Sequence, residues 1–322
     1  MIAMEKTGFS ILIPTRPQPD TVVAIFLLKT FGKDKFPGIE HATVEVRSTL
    51  AENETFDSLI KQNVVAIDLG GGPLDHHGKN ECTTELVSKY LGIDKDPALA
   101  RLIAYARRDD KDGKGTLSTD AIDRAFGLSG LIASLNKLHT NNPDLIVSSV
   151  LPLLEAHYAA ARQHHVELPA EVARKKKEGA YEERSVSQKS KKLLMSCVIS
   201  DKPSMPTFLR SQQGPRADVV VQKSEGTNHI CILSKQERKI DLSKVAALIR
   251  MREAELSAIT LPEDEKYLEQ TGRIAEISNW YYDPMTNSIL NGGAHSRTVA
   301  ESKIDWEELK QIVHVGLQLG GK

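Results

Sequence analysis

Apolar and polar positions change their rhythm twice along the chain. Phe9–Ile13 is a short apolar run closed by Pro14-Thr15-Arg16-Pro17, the pattern of a buried strand with a sharp exit. Asp20 then stands where a helix N-cap would, ahead of Val22, Val23, Ile25, Phe26, Leu27 and Leu28, a stretch apolar on nearly every side. Ala42–Val46 predicts a second strand, Thr55–Lys61 a short helix, and Val64–Leu69 a third, fully buried strand. This βαβαβ order implies a mostly parallel sheet with helices on both faces. Ligands of such sheets gather at the carboxyl ends of the strands. Residues just after Ile13 and just after Ile67 are therefore the ones to inspect for chemistry.

From Thr83 the period becomes helical. Thr84–Leu91, Pro97–Tyr105, Asp120–Leu138 and Asp144–Ala161 repeat apolar residues at three- and four-residue intervals. A charged stretch follows, with Arg174 to Lys177, Glu182-Glu183-Arg184 and Lys191-Lys192, the composition of a solvated linker or connecting helix. Strand signals resume at Leu193–Ser200, Ala217–Gln222 and His229–Leu233, with a helix around Met205–Ser211. Asp241 precedes a helix striped by Leu242, Val245, Leu248, Ile249 and Met251, and Trp306 begins a last one. The expected class is α/β. Residues 1–165 form an N-terminal domain with a helical tail, 166–192 a linker, and 193–322 a smaller C-terminal α/β domain.

Composition narrows the setting. Of 322 residues, 40% are hydrophobic and 26% charged, with a formal net charge of -1, so no global field draws the chain to nucleic acid or membrane. The start lacks the features of a signal peptide, and no apolar run approaches a membrane span. Cys82, Cys197 and Cys231 show no CxxC spacing, which fits structural thiols in a reducing cytoplasm.

The chemistry concentrates in Val65-Ala-Ile-Asp68-Leu-Gly-Gly-Gly72-Pro-Leu-Asp75-His76-His77-Gly78. A carboxylate ends a buried strand, glycines turn the backbone, and a carboxylate with two imidazoles returns to the same place. A mixed carboxylate and imidazole set suits manganese or zinc better than calcium, with Asp75 suited to orienting one ring. The alternative is a polar turn in which Asp75 caps nearby amides.

This segment resembles the DHH phosphoesterase superfamily, and is most similar to its Myg-type exonuclease branch. The match runs motif by motif over residues 9–113. The resemblance implies an N-terminal α/β domain holding metals and a smaller C-terminal domain binding substrate phosphates. By position, Asp20 matches the first aspartate of the family's opening motif, Asp68 the aspartate bridging two metals, and His76 a ligand of the second. In Arg107-Arg108-Asp109-Asp110-Lys111-Asp112-Gly113 the resemblance assigns a further ligand to Asp109, with Asp110 close behind. Asn291-Gly292-Gly293-Ala294-His295-Ser-Arg297 is similar to the family's glycine-rich phosphate loop. It implies phosphate held by Gly292, Gly293 and Arg297, and a proton or hydrogen bond from His295.

Two positions depart from the family. Arg16 stands where its first histidine would be, and Val22 where its second aspartate would be. A guanidinium cannot ligate a metal, but it can hold a phosphate by a fork of hydrogen bonds. The implied activity is hydrolysis of phosphodiesters in short oligonucleotides or a cyclic dinucleotide. It would use one or two Mn2+ ions, or Mg2+ or Zn2+, with Asp68, Asp75, His76 and His77 at the reacting centre and Arg16 on the substrate. The alternative is a weakened relative that binds nucleotide or nucleic acid without cleaving it. Pyrophosphatase activity shares the fold but uses an intact first motif. A homodimer is compatible with everything above.

Overall fold

The computed structural model describes residues 8–113, 115–292 and 298–320. The chain divides into two compact units of nearly equal length, Met1–Gln163 and His164–Lys322. Both are mixed α/β, as the sequence pattern predicts.

In the first unit, strands β1 (Ser10–Ile13), β2 (Thr43–Val46) and β3 (Val64–Ala66) form a parallel sheet in the order β2-β1-β3. The twofold alternation of a strand divides β1 between two cores. Ile11 and Ile13 pack with helix α1 (Pro19–Phe31), whereas Leu12 packs with Ala66 and with Leu59 of helix α2 (Phe56–Ile60). Helices α3 (Thr83–Leu91), α4 (Ala100–Asp112), α5 (Ala121–Phe126), α6 (Leu128–Leu138) and α7 (Pro143–Arg162) complete the unit. α1 is in contact with α3, α4, α6 and α7. Every residue from Asp20 to Leu28 is consequently buried, which explains why its sequence is apolar nearly all round.

Three elements differ from expectation. The third strand ends at Ala66 because Asp68 takes a left-handed conformation, φ 57°, which no ladder accommodates. The Pro97–Tyr105 helix starts instead at Ala100 and runs on to Asp112, past the acidic cluster. The Asp120–Leu138 helix is broken at Gly127, whose backbone is extended.

The second unit holds helix α8 (Leu168–Lys177), strands β4 (Tyr181–Gln188) and β5 (Lys191–Ile199), α9 (Met205–Arg210), β6 (Val219–Lys223), β7 (Ile230–Ser234), α10 (Ser243–Ser257), α11 (Glu265–Leu268), β8 (Tyr281–Asp283), β9 (Ser288–Asn291) and α12 (Trp306–Leu319). The six strands follow the order β4-β5-β6-β7-β9-β8, with only β5 and β6 parallel. The charged stretch 166–192 carries helix α8 and strand β4. Alternation along β4 puts Val186 and Gln188 on one face and Tyr181 on the other, with Val186 in the main core of the unit and Tyr181 in a second cluster with residues of α8 and α9.

Among the described residues, no helix is long and apolar enough to cross a membrane. The three cysteines are free. Burial pushes the Cys197 thiol up to about 12 and Cys231 up to about 11, which keeps both protonated and inert near neutrality.

Candidate metal centre

In the order β2-β1-β3 the parallel strands β1 and β3 are neighbours, so their carboxyl ends lie side by side. The carboxyl ends of such parallel strands are where these sheets bind ligands. Asp20 follows β1 and Asp68 follows β3, so the topology brings both to this end of the sheet.

The glycine segment folds back on itself after β3. The Asp68 amide donates to the Leu74 carbonyl at 2.9 Å, and Leu74 is fully buried, which anchors the return. Asp75 is the internal brace. Its carboxylate accepts the Gly71 amide at 2.6 Å, the His77 amide at 3.0 Å, and contacts His77 Nδ1 at 2.6 Å. Burial alone would raise its pKa, but these bonds outweigh burial and hold the carboxyl below the usual range. The same contact raises the pKa of His77, whose side chain is 70% exposed.

Gly70 and Gly71 turn the segment through left-handed conformations, φ 80° and 68°. A methyl group on Gly70 would also collide with the Leu50 side chain, whereas one on Gly71 would meet nothing. Gly70→Ala is therefore expected to cost about 2–3 kcal/mol and Gly71→Ala about 1 kcal/mol. Urea unfolding of both variants checks the order.

His76 lies at the middle of the site, its side chain 14% exposed. Nε2 sits 2.8 Å from Asp68 Oδ1 and Nδ1 sits 3.2 Å from Asp110 Oδ2. Both oxygens are buried, yet neither has a hydrogen-bond partner. At such distances the missing bond is a matter of direction: the ring is close but not aligned to donate. Buried carboxylate oxygens left without a bond are costly, and a divalent ion would satisfy them. Two donor sets surround the ring, Asp68 with His76 and His77, and Asp20 with His76 and Asp110. In each set the ligand atoms lie within 4.8 Å of one another. Burial raises the pKa of Asp68 against the pull of His76 and His77. These residues fit a first-row divalent ion.

Asp110 reaches this cluster through helical phase. Leu102 and Ala106 are the buried positions of α4, and continuing that stripe by three or four residues arrives at Asp109 and Asp110. Asp110 turns toward His76. Asp109, the preferred residue on sequence grounds, instead accepts a hydrogen bond from Ser129 Oγ at 2.8 Å, and burial raises its pKa. Asp109 and Ser129 line a cleft of about 300 Å³ with Arg16, Gln18, Asn136 and Lys137. Arg16 is exposed there, and neither it nor Lys137 has an ion-pair partner among the described residues. Val22 is fully buried in the core.

Asp20 has a second duty. α1 starts at Pro19 with Gln18 as its N-cap, so Asp20 does not cap its own helix. Its two carboxylate oxygens accept the amides of Thr83 and Thr84, each at 2.9 Å, at the start of α3.

One residue of the cluster has no counterpart among the sequence-based candidates. Lys111 Nζ lies 3.2 Å from Asp110 Oδ2 and 3.4 Å from His76 Nδ1. Its position beside Asp110 in a charged run gives no signal that it points into the cluster.

In the second unit, Asn291 is fully buried and fixes the base of its loop by donating to the Asn279 and Ala300 carbonyls, both at 3.0 Å. Gly292 follows with φ 68°. Gly293, His295 and Arg297 lie outside the described residues.

No family model matches the chain, and no curated protein matches it. Among solved structures, one described as the DHH domain of a member of a family of ribosomal proteins is similar at 11% identity. The alignment covers 95% of this chain and 86% of that one, with a TM-score of 0.28. A likeness of that size carries no weight for function, which has to come from the geometry of the site.

Proposed function

We propose that the first unit is a metal-dependent phosphoesterase of the DHH type, holding one divalent ion, manganese by preference. The observation that carries this is the buried Asp68 Oδ1, without a hydrogen-bond partner, beside the His76 ring and in one donor set with His77. Asp68, His76 and His77 would hold the ion, with Asp110 at the far edge of the His76 ring. The ion would supply positive charge for a phosphoryl oxygen and activation of water. Asp75 keeps the His77 ring in place through the 2.6 Å contact. Arg16 is exposed and, among the described residues, without an ion pair, and it is suited to grip a phosphate by two hydrogen bonds. The second unit's loop, Gly292 and Gly293 with His295 and Arg297, is proposed as a phosphate-binding element in its own right.

The substrate class is a phosphodiester, in a short oligonucleotide or a cyclic dinucleotide. The test is purified full-length protein with Mn2+, assayed on bis-p-nitrophenyl phosphate and on a short oligonucleotide. Release of p-nitrophenol or of mononucleotides, lost with EDTA and restored by Mn2+, is the expected result. A protein that binds Mn2+ and nucleotide yet turns over neither substrate would favour the non-cleaving alternative. That second reading has its own support, because Val22 lies fully buried in apolar core and offers no ligand where the family resemblance asks for one.

A further inference from the structure

We infer that Lys111 is a resident cation filling the second of two ion positions around His76, so that the chain takes one divalent ion where its ligands could take two. The inference rests on the metal-binding reading above and deepens it.

The His76 ring divides the cluster. On the Nε2 edge lies Asp68 Oδ1, and on the Nδ1 edge lies Asp110 Oδ2. The donor set on the Asp68 side is completed by His77, and the set that includes Asp110 is completed by Asp20. Among the described residues, the Asp110 edge is the one that a lysine or arginine contacts. The Lys111 ammonium stands 3.2 Å from Asp110 Oδ2, 3.4 Å from His76 Nδ1 and 3.5 Å from the Lys79 carbonyl oxygen. Carboxylate, imidazole and carbonyl are groups that a divalent ion would also select.

The backbone assists. Asp109, Asp110 and Asp112 crowd the last turn of α4, the negative end of the helix dipole, where carboxylates are disfavoured and cations favoured. Lys111, in that same turn, offsets them. The chain beneath it is tied to the site, since the Lys79 amide donates to the His76 carbonyl at 2.9 Å. A second divalent ion on the Asp110 edge would lie within a few ångströms of a fixed positive charge, a repulsion that one carboxylate contact does not overcome in a partly buried setting. Among the described residues, no lysine or arginine stands at the Asp68 edge, where His76 and His77 are the neighbours.

Counting bound metal tests this without relying on turnover. Full-length protein is titrated with Mn2+ by calorimetry, and free Mn2+ is followed by electron paramagnetic resonance. Wild type is expected to bind one ion per chain. Lys111→Met and Lys111→Gln should bind two, the second at least tenfold more tightly than any second ion on wild type, and Lys111→Arg should keep one. Running two neutral variants, each checked by circular dichroism, separates a folding defect in one from the effect of charge. One ion on wild type and one on both folded neutral variants would overturn the inference and leave the metal site standing. Two ions on wild type would also overturn it. No binding by any of the proteins would remove the metal reading and this inference together.

Discussion

Asp20→Ala is expected to cost about 2–4 kcal/mol of stability in metal-free buffer, one of the two largest effects anticipated for a single substitution in the first unit. The reason is not metal. The carboxylate accepts the amides of Thr83 and Thr84 at 2.9 Å, in a buried place. Removing it leaves two amides at the start of α3 without acceptors, at roughly 1–3 kcal/mol each before water relieves part of the loss. Charged acceptors make stronger bonds than neutral ones. Asp20→Asn retains one acceptor oxygen and should therefore cost about half as much. Urea unfolding in EDTA, with unchanged denaturant slope and lowered midpoint, is the measurement. Equal stability of wild type and Asp20→Ala in EDTA would mean the carboxylate is kept for an ion alone.

His76→Ala should do the opposite. Its ring touches Asp68 and Asp110 without aligned hydrogen bonds, so stability in EDTA should change by about 1 kcal/mol or less. Manganese affinity, by contrast, should fall on the order of 100-fold or more, since loss of even an outer partner of a ligand costs 10–100-fold. Any Mn2+-dependent hydrolysis should fall to background with it. Calorimetric titration and the bis-p-nitrophenyl phosphate assay on one preparation give both numbers. Undiminished Mn2+ binding by His76→Ala would exclude the ring as a ligand. The two variants thus pull apart what holds the site together from what the site is for.

The layout of the first unit is legible in the sequence because strand period and helix period are local signals. β1, β2 and α1 follow from apolar spacing alone, and the glycine segment with its carboxylate and two imidazoles marks the site. What the sequence hides depends on distant contacts. Asp20 looks like an N-cap from its neighbours and does cap a helix, but α3 rather than α1, a fact fixed by a partner 63 residues away. Asp109 and Asp110 differ by one step on α4, and which of them faces His76 is a matter of helix rotation set by packing. Lys111 looks like a solvated charge for the same reason. In the second unit, β4 is hidden because Glu182, Glu183 and Arg184 place charges on both of its faces, so composition masks the alternation.

The tie between Asp20 and α3 also bears on how the molecule assembles. Parallel strands joined by crossovers close only after long stretches of chain have been gathered, and such distant contacts form slowly. The carboxylates of Asp20, Asp68 and Asp110 come from segments far apart in the chain. A partly folded chain with its helices formed locally would still lack the cluster. The Asp20 and Asp110 edge of the site is therefore completed only in a finished first unit, whereas Asp68, His76 and His77 lie together in one short segment of chain.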